Sequence, residues 1–366
     1  MWERRAFLKA AGAGFVASLL PRAAEALEDA QLVFASATQR SAGAYGAALI
    51  TETGKLISSI DLPDRGHDIT YSAVTGKAVV FARQPGTFAI VFDPKGSVPP
   101  QTITSSAGRH FFGHGVFSPD GKLLYATEND FDNSRGVIGI YDVAGGFARI
   151  GEFDTFGIGP HEILLMPDGK TFAIANGGIE THPDYGREEL NLGTMEPSLA
   201  FVDRTDGHLV GLLKLDAELF QLSIRHMAVD GRSRVWFGCQ FRGDAGLSPQ
   251  LVGYATMDGS IRLIELPNDS LRNLRNYVGS VAASRNGESI AVSSPEGDTI
   301  LAIDAGSARN VQLLSLKGGC GIAPDTKGFV ASSGLGVVAG LAGSDAAATF
   351  DLGFDNHLRL LRDVAA

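Results

Sequence analysis

Cysteine is scarce. The 366 residues include two, Cys239 and Cys320. Two thiols permit one bridge in an oxidising compartment but cannot make a disulfide framework. Long apolar runs are missing as well: beyond residue 26 nothing is apolar enough to span a bilayer. Positive charge is in deficit, 31 basic against 41 acidic residues, for a net charge of −10. That balance argues against nucleic acid or an anionic membrane as partner. There is no Gly-x-Ser-x-Gly nucleophile elbow, no phosphate-binding Gly-Lys-Ser/Thr loop of P-loop spacing and no dinucleotide fingerprint in a βαβ setting.

Glycine, in contrast, is abundant at 46 residues, and apolar residues make up 44%. This composition is globular, too apolar for disorder, and its frequent punctuation favours many short strands over helices.

The first residues read as a targeting segment. Glu3-Arg4-Arg5-Ala6-Phe7-Leu8-Lys9 precedes a short apolar run from Ala10 to Leu20, and Ala24-Glu25-Ala26 supplies a small-residue cleavage site. The pattern resembles a twin-arginine export signal, with Glu3 where Ser or Thr is usual, and predicts cleavage of residues 1–26, a periplasmic location and no membrane insertion afterwards. Residues 27–366 then form the mature domain, with 27 basic and 39 acidic residues and a net charge of −12.

Degenerate repeats run through that domain. Each has an apolar strand, a Gly-containing turn and a second apolar strand, beginning near His67, His114, His161, His226, Ser280 and Cys320 at intervals of 47, 47, 65, 54 and 40 residues. A four-stranded propeller blade needs roughly 40–50 residues. Residues 31–62 supply three strands that lack a first, and residues 356–362 supply a lone strand. Joined, they make a closing blade. The expected fold is all-β, a seven-bladed β-propeller closed by its N- and C-terminal strands. Six blades is the alternative if 318–354 is not a full blade. Closure removes the exposed edges that invite aggregation.

The innermost strand of each blade lines the central channel. Aligned on the apolar residue near the head of that strand, the position two residues earlier is His67, His114, His161, His226, Ser280 and Cys320, and the closing blade offers His357. Five of the eight histidines therefore fall at one repeated position. Neutral imidazole is the commonest metal ligand, and with Cys or carboxylate it suits iron, copper or zinc. A Gly-His at a strand start also serves as a structural brace in WD-type repeats. The ends of the second strands should reach the same mouth. They bring Glu128, as ligand or general base, beside Arg83, Asn129, Asn176 and Gln240; Arg83 and Arg225 would suit an anionic substrate group. Two insertions, Gly177 to Pro197 and Arg242 to Pro249, lie on that face. The first carries His182 and Tyr185 and reads as a lid.

Gly-His-Gly-Val-Phe-Ser-Pro-Asp-Gly-Lys-Leu-Leu-Tyr-Ala-Thr-Glu-Asn, Gly-Pro-His-Glu-Ile and Thr-His-Pro-Asp-Tyr-Gly-Arg, with the export signal, resemble the bacterial family catalogued as domain of unknown function 1513. The resemblance runs from about residue 30 to the end. It implies an exported propeller encoded near proteins of periplasmic iron acquisition. No catalytic residue carries over, because the family has no established activity. Three readings stand at this point. One is a propeller binding iron, copper or haem at a histidine-lined mouth, with periplasmic iron-uptake proteins as partners. The second is a metal-dependent lactonase or hydrolase with Glu128 as base. The third is an interaction scaffold with structural histidines.

Overall fold

The computed structural model describes residues 30–40, 43–341 and 347–363, together with a two-residue strand, Ser18–Leu19. Ser18–Leu19 pairs with Leu56–Leu62; the rest of the segment read as an export signal lies outside the described residues. Seven antiparallel sheets follow one another. Blade 1 consists of Gly66–Ser72, Lys77–Ala82, Phe88–Phe92 and Gln101–Thr104. The innermost strands of blades 2 to 6 are Arg109–Phe117, Pro160–Leu165, Leu222–Val229, Ser280–Ala283 and Gly319–Pro324. Blade 7 joins the chain ends: Arg359–Asp363 pairs with Leu32–Gln39, which continues through Tyr45–Thr51 to Leu56–Leu62. The protein is thus a seven-bladed β-propeller, and residues 318–354 include a full four-stranded blade. Among the described residues no helix is long and apolar enough to cross a membrane.

Blades stack face to face, so their middle strands are covered on both sides. This explains the continuous apolar runs Lys77–Ala82 and Thr171–Asn176, almost wholly buried, where a one-sided sheet would alternate. Aromatic side chains lock neighbouring blades: Phe81 meets Phe111 at 5.7 Å between ring centroids, and Tyr125 meets Phe172 at 4.7 Å. The turn after His114 shows how a repeat is set. The Ser118 hydroxyl donates to Asp120 Oδ1 at 2.7 Å and accepts from the Leu123 N–H at 2.9 Å. Gly121 takes φ +69°, and a Cβ there would lie 2.8 Å from Thr75 Cγ2. Glycine is required for conformation and for space alike.

One irregularity recurs where the innermost strands meet the axis. Their pairing with the second strand shifts register between Gly66 and Ile69, Phe111 and Gly115, Pro160 and Glu162, Ile224 and His226, and Gly319 and Ile322. Each shift is a β-bulge, one extra residue in four blades and two in blade 2, that re-aims a side chain. In blade 5, where the aligned residue is Ser280, the pairing is regular.

Candidate metal centre

The five aligned histidines converge. The ring centroid of His67 lies 4.9 Å from that of His114, 5.8 Å from His161, 6.4 Å from His226 and 4.7 Å from His357. His161 and His226 are 4.6 Å apart, and His226 and His357 4.8 Å. Nitrogens of His67, His114 and His161 lie within 4.8 Å of one another, as do those of His114, His226 and His357. Metal–imidazole bonds of about 2 Å put the ligand atoms of one ion within about 4 Å of each other, and both sets approach that spacing.

Carboxylates stand behind the rings. Asp355 Oδ1 is 3.1 Å from His67 Nδ1, and Asp68 Oδ2 is 2.9 Å from His114 Nδ1. Glu162 Oε2 is 3.6 Å from His226 Nδ1 and accepts a hydrogen bond from the Met227 N–H at 2.9 Å. Arg359 ties two of these acids together, with three bonds of 2.7 Å to Asp68 and Glu162. A carboxylate on one imidazole nitrogen is the usual arrangement behind a metal-bound histidine, since it fixes the ring and makes the other nitrogen a better donor. Asp68, Glu162, Asp355 and Arg359 were not singled out by the sequence pattern.

Burial decides protonation. It holds His161 and His357 well below the ordinary imidazole range, lowers His226, and brings His67 down to about 3. These rings are neutral at neutral pH, the form that coordinates metal without first losing a proton. Burial opposes ionisation of the acids, but the Arg359 guanidinium, with hydrogen bonding from His114 and His226, outweighs it. Asp68 lies well below the carboxylate range and Glu162 falls to about 2. Among the described residues five imidazole nitrogens are buried without a hydrogen-bond partner: His114 Nε2, His161 Nδ1, both nitrogens of His226, and His357 Nε2. Each such group costs about 1–3 kcal/mol when left unsatisfied. A neutral imidazole carries one lone pair, so an ion taking one nitrogen from each of these four rings would remove that cost there.

Two expected members do not join this cluster. Glu128 is fully buried, but its carboxylate accepts from the Tyr141 hydroxyl at 2.5 Å and from Arg149 at 2.9 Å, groups on the third and fourth strands of its own blade. The bulge in blade 2 shifts the pairing between Ala126 and Glu128, so the simple strand-end count does not hold there. Glu128 is therefore not placed to serve the ring as ligand or base. The Cys320 thiol is directed at backbone carbonyls, 3.2 Å from Asp355 O and 3.4 Å from Ser332 O. Burial pushes it up to about 12, so it is a thiol and not a thiolate. Cys239 and Cys320 are both buried and unbridged.

A cavity of about 360 Å³ opens at the mouth, with His67 and His161 among its walls. Arg83 and Gln240 line it as expected of the second-strand ends, but Asn129, Asn176, His182 and Tyr185 do not. Asn129 donates to Thr181 O at 3.0 Å and meets His110 Nε2 at 3.0 Å, while Asn176 donates to Thr155 O at 2.8 Å. These two amides brace loops. His182 Nδ1 accepts from the Asp184 N–H at 3.2 Å at the start of a one-turn 3-10 helix, Pro183–Tyr185, and Tyr185 is 59% exposed. The insertions do reach the mouth: Ile179, Thr181, Arg187 and Glu189 of the first and Arg242 of the second line the cavity, and Arg242 Nε donates to Glu189 at 2.8 Å, joining them.

Comparison with solved structures finds the same fold in Kuenenia stuttgartiensis hydrazine synthase, with a TM-score of 0.61 and 15% identity over 81% of this chain and 91% of that one. A chain of a nidogen/laminin complex is similar at a TM-score of 0.51 and 11% identity, over 77% and 93%. At such identities the likeness shows the fold alone. No curated protein matches the sequence. Residues 60–361 match the model of the family described as protein of unknown function (DUF1513), and the chain belongs to that family.

Proposed function

We propose that this protein is a periplasmic metal-binding propeller that holds one iron or copper ion in its histidine ring and serves iron handling. The observation that carries the reading is that four histidine rings crowding one axis each keep a buried nitrogen without a partner among the described residues. An all-imidazole donor set suits first-row metals of intermediate softness. Rings with centroids 4.6–6.4 Å apart leave room for an ion and are far too close for a macrocycle between them, which favours a single ion over haem. The export signal read in residues 1–26 and the resemblance to proteins encoded beside iron-acquisition systems support the location and periplasmic iron-uptake proteins as partners.

Elemental analysis and an absorption spectrum of protein purified from the periplasm test the reading. One equivalent of iron or copper per chain is expected, and none in the His114→Ala/His226→Ala variant. Wild-type protein that carries no metal and binds none on titration with iron or copper salts would remove it.

A further inference from the structure

The cavity above the ring is cationic in an acidic protein. Arg83, Arg187, Arg225 and Arg242 line it against Glu189 and Glu296, a balance of +2 where the whole chain carries −10. Glu189 is already taken by Arg242. The other three guanidiniums are poorly matched. Among the described residues Arg83 Nε and Nη1 are buried without a hydrogen-bond partner, and the carboxylate of Asp355, 3.6 Å away, is shared with Arg65 and His67. Among the described residues Arg225 makes one hydrogen bond, from Nε to Ser223 Oγ at 3.3 Å. Arg187 stands on the first insertion without an ion-pair partner among the described residues. Withdrawing the Arg83 and Arg225 guanidiniums from water without a matched counter-charge is costly unless a ligand supplies one, whereas the exposed Arg187 adds positive charge at the rim.

We infer that this cavity binds a small organic polycarboxylate, and that one of its carboxylates reaches the ion in the histidine ring. A carboxylate matches the planar fork of a guanidinium with two parallel hydrogen bonds. The volume of about 360 Å³ is that of a small-molecule site and exceeds the needs of an inorganic anion. Phe112, Ile179 and Tyr277 give the same walls apolar surface suited to a carbon skeleton. His67 and His161 belong both to the cavity wall and to the ring, so an occupant of the cavity lies against the metal position. Two consecutive residues of one bulged strand divide the roles: Arg225 lines the cavity and His226 enters the ring. The bridging step rests on the metal reading above; the anion site itself rests on the cavity alone.

Calorimetric titration with citrate as probe separates the two. Metal-free wild-type protein is expected to bind one citrate, and to bind it more tightly once the ring is loaded. Arg225→Gln and the exposed Arg187→Gln should each weaken citrate roughly tenfold while leaving metal stoichiometry at wild-type level. The His114→Ala/His226→Ala variant should lose metal and the metal-dependent gain, yet keep citrate binding. Citrate binding without any metal binding would overturn the bridge and the metal reading but not the anion site. Citrate bound no better than acetate, inorganic phosphate bound more tightly than citrate, or affinity unchanged in both arginine variants would overturn the assignment.

Discussion

Asp68 Oδ2 lies 2.9 Å from His114 Nδ1, and the opposite nitrogen of that imidazole, Nε2, is buried with no partner among the described residues. Asp68 also takes two hydrogen bonds from Arg359, which anchors it from the closing strand of blade 7. One carboxylate thus links the closure of the propeller to the orientation of a candidate ligand.

Asp68→Asn should therefore weaken metal binding by about 10–100-fold, the usual effect of losing a carboxylate behind a metal-bound histidine. Competition titration against a chelator measures this. Glu162→Gln provides an independent check, because Glu162 shares Arg359 and sits beside His226. Unchanged affinity in both variants, with folding intact, would show that the carboxylates brace the fold without tuning the ring.

Acid should destabilise the metal-free protein in two stages. The folded state keeps His67 neutral down to about 3, whereas the unfolded chain protonates it near 6.5. Between these values the unfolded state binds more protons, so stability is present above pH 6.5 and is lost as pH falls below it. Each such histidine contributes up to about 1.4 kcal/mol per pH unit in its window. Glu162, lowered to about 2 by Arg359 and its neighbours against the pull of burial, adds a second loss as pH falls below its ordinary value. Denaturant titrations from pH 8 to pH 4 should show a falling unfolding free energy below about pH 6.5; a flat profile would contradict neutral buried imidazoles.

Glu128→Gln should be a stability variant. Its carboxylate is buried against Tyr141 and Arg149, and breaking such a pair costs about 3 kcal/mol. Metal stoichiometry should stay at the wild-type value. Loss of metal with unaltered stability would return Glu128 to the ring.

Both thiols should be unreactive in the native state. Burial raises Cys239 and Cys320, the latter to about 12. A chromogenic disulfide reagent should count no thiol in native protein and two after denaturation. Rapid native labelling of either cysteine would contradict the packing around it.

The propeller was legible because a blade is a local pattern: a short strand, a Gly turn and another strand, repeated at blade spacing. The histidine ring was legible for the same reason, since alignment of His67, His114, His161, His226 and His357 needs only the repeat. The supporting shell was not. Asp68 and Glu162 directly follow His67 and His161, and strand alternation places consecutive side chains on opposite faces. The bulges at Gly66–Ile69 and Pro160–Glu162 break that alternation, letting a histidine and the adjacent acid serve one centre. The same kind of shift in blade 2 upset the strand-end reasoning for Glu128. Arg359 and Asp355 come from the chain end, and only closure of blade 7 brings them to the acids and rings of blades 1 and 3.

X-ray absorption spectroscopy of the metal-loaded protein tests the histidine centre most directly. The predicted result is a first shell of nitrogen donors at about 2.0–2.1 Å with the outer-shell scattering of several imidazoles, abolished in His114→Ala/His226→Ala. A shell of oxygen donors without imidazole scattering, or a sulfur shell near 2.3 Å from a cysteine thiolate, would contradict it.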